Sequence, residues 1–307
     1  MNGCGTSEQV TVLAVGGTGE SAADDRRTEV TGLLAQVTAE LDNRFRPVWV
    51  GYPASYGPAP HLRGMSYADS VDEGVARLGR AIAATTGTVV LIGYSQGAVV
   101  VRRLLADLAA DPSQSAALAR VAAAGFVADP HQPPGAVPGC SGWGVAGAGP
   151  RLPRGLAAHW VGAPEDMICN ATRDSLIRDI ADLTGAMTLA APVTWASSMW
   201  QTVCTNAFQN AARTRNGPAQ WRRDLDRLVA AWTEVRHYLP ERLAWRGLDL
   251  PNPLGGRHVC YDHEPYHPAS WTDPDATGCQ KLAHWLQVQV TFANTVRSSN
   301  PVVAAAA

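Results

Sequence analysis

The residues best suited to chemistry are Gly93-Tyr94-Ser95-Gln96-Gly97, a G-x-S-x-G placed directly after the apolar run Thr88–Gly93 and directly before the helical pattern Ala98–Ala110. A sharp strand-to-helix turn of this kind exposes a serine hydroxyl at the C-terminal edge of a sheet, and its glycines let neighbouring backbone pass close. Ser95 is therefore the candidate nucleophile. The helix N-terminus and the Gln96 amide are expected to face an oxyanion developing on a bound carbonyl. A second donor is expected from Gly16-Gly17-Thr18-Gly19, the loop after the β-rich run Gln9–Val15; the Thr18 amide and hydroxyl are the candidates.

A serine hydroxyl needs a base, and the base needs an orienting acid. On a strand-turn-helix framework they follow in the order Ser, Asp or Glu, His. Asp166, in Pro164-Glu165-Asp166-Met167-Ile168-Cys169, follows the short strand around 157–161 and is the candidate acid, with Glu165 and Asp129 as competitors. The candidate base is His258, in the glycine-rich Gly255-Gly256-Arg257-His258, with His263 and His267 as competitors. His284 falls within the last helical pattern and is expected to be packed there. Two other chemistries fit poorly. The glycine loop is an incomplete G-x-G-x-x-G and the chain has no P-loop lysine, which argues against nucleotide binding. Asp262-His263-Glu264 with His267 matches no zinc spacing. Neither a metal nor a cofactor is expected.

The elements that must position these residues alternate. Strand-like runs at 9–15, 46–50, 88–93, 121–127 and 157–161 are separated by helical periodicities at 29–41, 67–84 and 98–110. Such alternation predicts a parallel α/β sheet flanked by helices, and the uninterrupted apolar strands suit its buried centre. Beyond residue 171 the character changes: 176–186, 193–212 and 219–237 read as helices without an intervening strand. The expected organisation is an α/β core over 1–170 and 251–298, a helical insertion over 171–250 between acid and histidine, and a disordered tail over 299–307. Within the insertion, Trp195, Trp200, Trp221 and Trp232 are expected either to anchor a small core or to line a lipid groove.

Composition narrows the function. The 307 residues are 46% hydrophobic and 17% charged, which fits one large globular domain or a domain with an insertion. The net charge of −2 gives no footprint for nucleic acid, and no apolar stretch reaches the ~18 residues of a membrane span. Six cysteines without a C-x-x-C pair predict one to three disulfides, hence an exported protein, with buried free thiols as the rival reading. No signal-peptide pattern opens the sequence, so release by cell lysis is one expected route out. Lys281 is the single lysine among 25 basic residues, a bias of GC-rich coding sequence.

Cys4, Val10–Val15 and Gly17-Thr18-Gly19-Glu20 together resemble the start of cutinases, while Gly93–Ala98 and Asp166–Cys169 resemble the cutinase elbow and acid loop. No cysteine precedes the Val89–Ile92 strand where cutinases have the partner of the first cysteine, and cutinases lack a long helical stretch before the histidine. The chain is more similar to the lysin B enzymes of phages that infect mycolic-acid-bearing actinobacteria. Those carry a helical segment between acid and histidine, and their histidine loop often reads His-x-x-Tyr, as in His258-Val259-Cys260-Tyr261. The resemblance implies an α/β-hydrolase-type serine esterase, Ser95-Asp166-His258. It would cut mycolic acids from the arabinogalactan wall and act in the host cell envelope after release at lysis. It also suggests Cys260–Cys279 and Cys140–Cys169 pairs, with Cys4 and Cys204 left over. The alternatives are a secreted cutinase-like lipase or polyesterase, an acyltransferase, or an inactive wall- or lipid-binding protein.

Overall fold

The computed structural model describes residues 9–209, 218–245, 248–267 and 269–299. Five strands, β1 (Val10–Val15), β2 (Phe45–Trp49), β3 (Val89–Tyr94), β4 (Val121–Val127) and β5 (Ala157–Val161), form one parallel sheet in the order β2-β1-β3-β4-β5. Every residue of β1 and β3 is buried, because side chains alternate between two covered faces. Val10, Val12 and Ala14 meet α1 (Leu34–Ala39) and α8 (Gly278–Ser299) through Leu34, Leu282 and Leu286. Leu13 and Val15 face the other way, onto α2 (Tyr67–Ala84) and α3 (Gln96–Ala110), through Leu78, Ile82 and Leu105. Each such leucine or isoleucine contributes roughly 1.5–3 kcal/mol of burial free energy. Pro47 lacks an amide proton and sits in β2, an edge strand where that loss is tolerated.

This strand order reverses direction between β1 and β3. Loops leaving the C-terminal ends of those two strands therefore diverge to opposite faces and leave a crevice between them, the usual ligand position in open α/β sheets. The Gly16–Gly19 loop and Ser95 flank this crevice. A short helix, α4 (Ser115–Ala119), leads into β4.

Between Asp166 and His258 lie α5 (Leu176–Thr184), α6 (Pro192–Thr205) and α7 (Pro218–Tyr238). The stretch is not wholly helical: β6 (Arg242–Trp245) and β7 (Leu248–Pro251) close it with an antiparallel hairpin. Ile177 of α5 and Ala231 and Val235 of α7 pack on Met167 and Ala171 of the acid loop. Charge reinforces the contact, since Arg223 pairs with Asp174 at 2.6 Å and Arg227 with Asp179 at 2.5 Å.

Further expectations need correction. The periodicity over 29–41 yields only the six-residue α1, because Gly32 adopts φ 65° and breaks the pattern. Cys140, Cys169, Cys204, Cys260 and Cys279 are free, so neither expected disulfide is present. Four of these thiols are buried and act as small apolar groups, and burial raises Cys260 to about 12. The insertion tryptophans do not anchor a core: Trp200, Trp221 and Trp232 are 72%, 78% and 65% exposed, whereas half-buried Trp195 donates its indole N–H to the Leu183 carbonyl at 3.1 Å. Cys4, residues 210–212 of the expected second insertion helix, and all but Ser299 of the expected tail lie outside the described residues.

Arg178 of α5 fixes the insertion to the core. Its fully buried guanidinium donates to the carbonyls of Gly144 (2.7 Å), Trp143 (2.9 Å), Ala171 (2.8 Å) and Thr172 (2.9 Å). It also lies 4.3 Å from the Trp143 ring centroid. Burial lowers its pKa to about 10. Arg178→Ala strands four carbonyls and leaves a cavity, and is expected to cost about 3 kcal/mol or more, lowering Tm by roughly 6–12 °C in thermal unfolding. Arg178→Lys, lacking the planar fork, is expected to recover less than half of that loss.

Candidate active site

Ser95 sits at φ 51°, ψ −117° between β3 and α3, a backbone conformation that L-residues avoid. The flanking glycines make it possible. A Cβ on Gly97 would stand 2.0 Å from the Val15 carbonyl oxygen, and one on Gly93 would stand 2.5 Å from the Gly97 oxygen. Bulk at either position would push α3 away from β1 and β3.

The three residues expected to cooperate are together. His258 Nε2 lies 3.0 Å from Ser95 Oγ, and His258 Nδ1 lies 2.9 Å from Asp166 Oδ2. Asp166 is completely buried. Its Oδ1 accepts the Ile168 amide at 2.9 Å, and Oδ2 also accepts the Tyr261 hydroxyl at 2.6 Å. His258 is held at its backbone too, where Tyr94 Oη donates to its carbonyl at 2.9 Å. The rings of Tyr94 and of Tyr238, at the end of α7, each lie 5.2 Å from the imidazole centroid. Burial raises the pKa of both phenols. The site is thus a hydroxyl, an imidazole and a buried carboxylate in one line, the arrangement that activates a serine for attack on an acyl carbon.

The competitors lie elsewhere. Asp129 is buried in an ion pair with Arg102 at 2.6 Å and accepts the Trp160 indole N–H at 3.0 Å. Glu165 is exposed. His263 is exposed against Asp262 at 2.5 Å, and His267 packs on the Tyr266 ring at 4.3 Å. His284 lies on the exposed face of α8 and is not packed. Glu241, His263 and Glu264 bring ligand atoms within 4.8 Å of one another, but Glu264 is already bound by Arg257 at 2.6 Å.

Around the crevice, Gln96 opens α3, where the first amides of a helix have no intrahelical acceptor. Its side chain is locked: Nε2 donates to the Ser55 carbonyl at 2.9 Å, and Oε1 lies 3.1 Å from Tyr52 Oη. In the Gly16–Gly19 loop the Gly17 amide donates to Glu20 Oε2 at 2.7 Å and the Gly19 amide to the Ala54 carbonyl at 2.8 Å. Glu20 Oε1 also takes the Leu33 amide at 2.9 Å. Glu20 therefore ties the exposed Thr18 loop to the entry of α1. Glu20, Tyr52, Tyr94, Tyr238 and Tyr261 join the site without being expected in it; the Gly17–Glu20 motif and the spacing of Tyr261 from His258 are the signals that could have found two of them.

A PE-PPE domain family model matches residues 45–138. No curated protein sequence matches the chain. Among solved structures, lysin B from mycobacteriophage D29 is similar at 21% identity and a TM-score of 0.46, covering 68% of this chain and 92% of its own. A cutinase-like protein from Cryptococcus sp. is similar at 15% identity and a TM-score of 0.40, covering 72% and 95%. An acetylxylan esterase is similar at 18% identity and a TM-score of 0.37, covering 66% and 98%.

The geometry predicts selective reactivity. An organophosphonate is expected to add one mass adduct to the protein, at Ser95, and none to Ser95→Ala. His258→Ala is expected to slow labelling at least about 100-fold, the usual contribution of a positioned base. Equal labelling of the His258 variant in intact-mass kinetics would mean the imidazole does not activate Ser95.

Proposed function

We propose that this protein is a serine ester hydrolase of lipid esters, acting on the bond between mycolic acids and cell-wall arabinogalactan. The observation that carries the hydrolase reading is the unbroken Ser95–His258–Asp166 line at 3.0 and 2.9 Å. Ser95 Oγ attacks the ester carbonyl carbon while its proton passes to His258 Nε2, and Asp166 steadies the imidazolium that forms. The amides of Gln96 and Thr18 receive the oxyanion. Collapse of the tetrahedral species expels the sugar alcohol, which takes the proton from His258. Water then attacks the acyl carbon, gives a proton to His258 and releases the fatty acid, and Ser95 Oγ is reprotonated.

A lipid substrate is supported by a second observation. Trp221, Leu225, Leu228, Val229 and Trp232 are all exposed and recur at helical spacing along α7. That helix ends in Tyr238, whose ring lies against His258. Such an exposed apolar stripe is suited to an acyl chain. No described helix is long and apolar enough to cross a membrane. The choice of mycolyl ester follows the motif resemblance to lysin B enzymes. In the secreted-lipase reading the same machinery acts on other acyl esters, and in the acyltransferase reading an alcohol replaces water at the acyl-enzyme.

The deciding assay incubates the protein and Ser95→Ala with purified mycolyl-arabinogalactan and measures free mycolic acid. Release by the parent alone is expected. Cleavage of short acyl esters without mycolate release would move the function to a general cutinase-like esterase, and inactivity on both would favour a lipid-binding protein. Trp221→Ser with Trp232→Ser is expected to lower turnover of an emulsified long-chain ester about tenfold, near 1.4 kcal/mol. Hydrolysis of a short soluble ester should stay within about twofold, because both positions are surface sites remote from packed features.

A further inference from the structure

We propose that Tyr261 is a positioning residue of the site, tuning through Asp166 how tightly His258 holds its proton. The inference rests on the esterase reading above and concerns a group that never touches substrate. Tyr261 Oη and His258 Nδ1 both reach the same atom, Asp166 Oδ2, at 2.6 and 2.9 Å. The Ala163 amide donates to Tyr261 Oη at 3.1 Å, Cys169 Sγ lies 3.5 Å from the same oxygen, and the shortest contact, 2.6 Å, directs the O–H to the carboxylate. The residue is 1% exposed, and burial beside Asp166 raises its pKa well above that of an ordinary tyrosine. It is therefore a permanent donor.

Two donors on one oxygen compete for its charge. The Tyr261 proton draws on Oδ2, so the imidazolium attracts less of that charge than it would alone. Both donors also come from one loop, since the 3₁₀ turn Cys260–Asp262 follows His258 directly. The carboxylate's rotamer and the imidazole's placement are thus set together. The other phenols and thiols grouped around Asp166 are Tyr94 of β3, Tyr238 of α7, Cys140, Cys169 and Cys260. Burial raises every one of them, so none titrates where an imidazole does. Charged groups nearby are Glu20, Glu165, Asp262 and the Arg257–Glu264 ion pair.

Tyr261→Phe keeps the ring and removes the donor. Relieved of the competitor, Oδ2 holds the imidazolium more tightly, and proton loss from His258 requires a higher pH. The acid limb of the kcat/KM profile is expected to move upward by about half a pH unit or more, with KM for a short ester within about twofold. Fluorotyrosine installed at position 261 is the opposing test. Its more acidic phenol draws harder on Oδ2, so the limb should move to lower pH, and this variant guards against poor folding of the phenylalanine one. A residue that served only packing would change Tm and leave the pH profile in place; an unmoved limb in both variants overturns the proposal. If no ester proves to be a substrate, the His258 Nδ1–H proton resonance reads the same coupling without turnover. It is expected to shift downfield in Tyr261→Phe, and an unchanged resonance rejects the inference independently of the esterase reading.

Discussion

Asp166 is a carboxylate without solvent contact, and the C-terminal half of the molecule is arranged around that condition. A buried carboxylate must find in the protein the donors that water would have supplied. Here they are the Ile168 amide, the His258 imidazole and the Tyr261 hydroxyl. The last two lie more than ninety residues along the chain, so the histidine loop closes onto the acid because the acid requires it. The acid loop is itself braced from outside. Met167 and Ala171 are covered by α5 and α7, and Arg178 gathers the carbonyls of Ala171 and Thr172 with those of the facing 143–144 segment. Loosening these helices would expose the carboxylate and weaken its hold on His258.

The Ser95 turn depends on a second constraint, independent of the first. A non-glycine residue at positive φ costs on the order of 1–3 kcal/mol and persists only where its surroundings leave no alternative. At Ser95 they leave none. The Ser95 amide is bound to the Val127 carbonyl at 2.9 Å, and Gly97 lies against the end of β1. The turn is trapped between β1 and β4 at the place where the strand order reverses. That position also brings the loop after β1 toward Ser95, with a Cβ on Gly17 falling 3.3 Å from the Ser95 Cβ.

How much of this can be read from sequence depends on the range over which each feature is encoded. The strands are legible because a parallel strand buried on both faces must be apolar throughout, as Val89–Ile92 is. Ser95 is legible because its elbow is built by residues two positions away. Asp166 and His258 were reached through their order in the chain and their loop contexts, with rivals that only three-dimensional placement separates. Tyr238 carries no local sign of a partner 20 residues distant, and the motifs that contain Tyr261 and Glu20 say nothing of partners 95 and 13 residues away. The β6–β7 hairpin was hidden by its brevity, four residues a strand. The cysteines misled for a physical reason: an even count fits a disulfide framework and a set of buried thiols equally well.

The tryptophans expose a limit of periodicity itself. Helical spacing of apolar residues says that a helix has an apolar face, not what covers that face. In α7 the buried contacts are made by the smaller Ala231 and Val235, while Trp221, Leu225, Leu228, Val229 and Trp232 remain in solvent. Contiguous apolar exposure of this kind is unusual for a soluble monomer unless something apolar is to be met there. The helix is also coupled directly to the His258 loop. The His237 and Leu239 carbonyls, at its C-terminal end, accept the amides of Arg257 and Gly256 at 3.0 and 2.8 Å, and Tyr238 between them rests against the His258 ring. Any contact that shifted α7 would therefore be felt at the imidazole within two residues of chain. The 171–250 segment is better understood as part of the wall that holds His258 than as a separate lid over it.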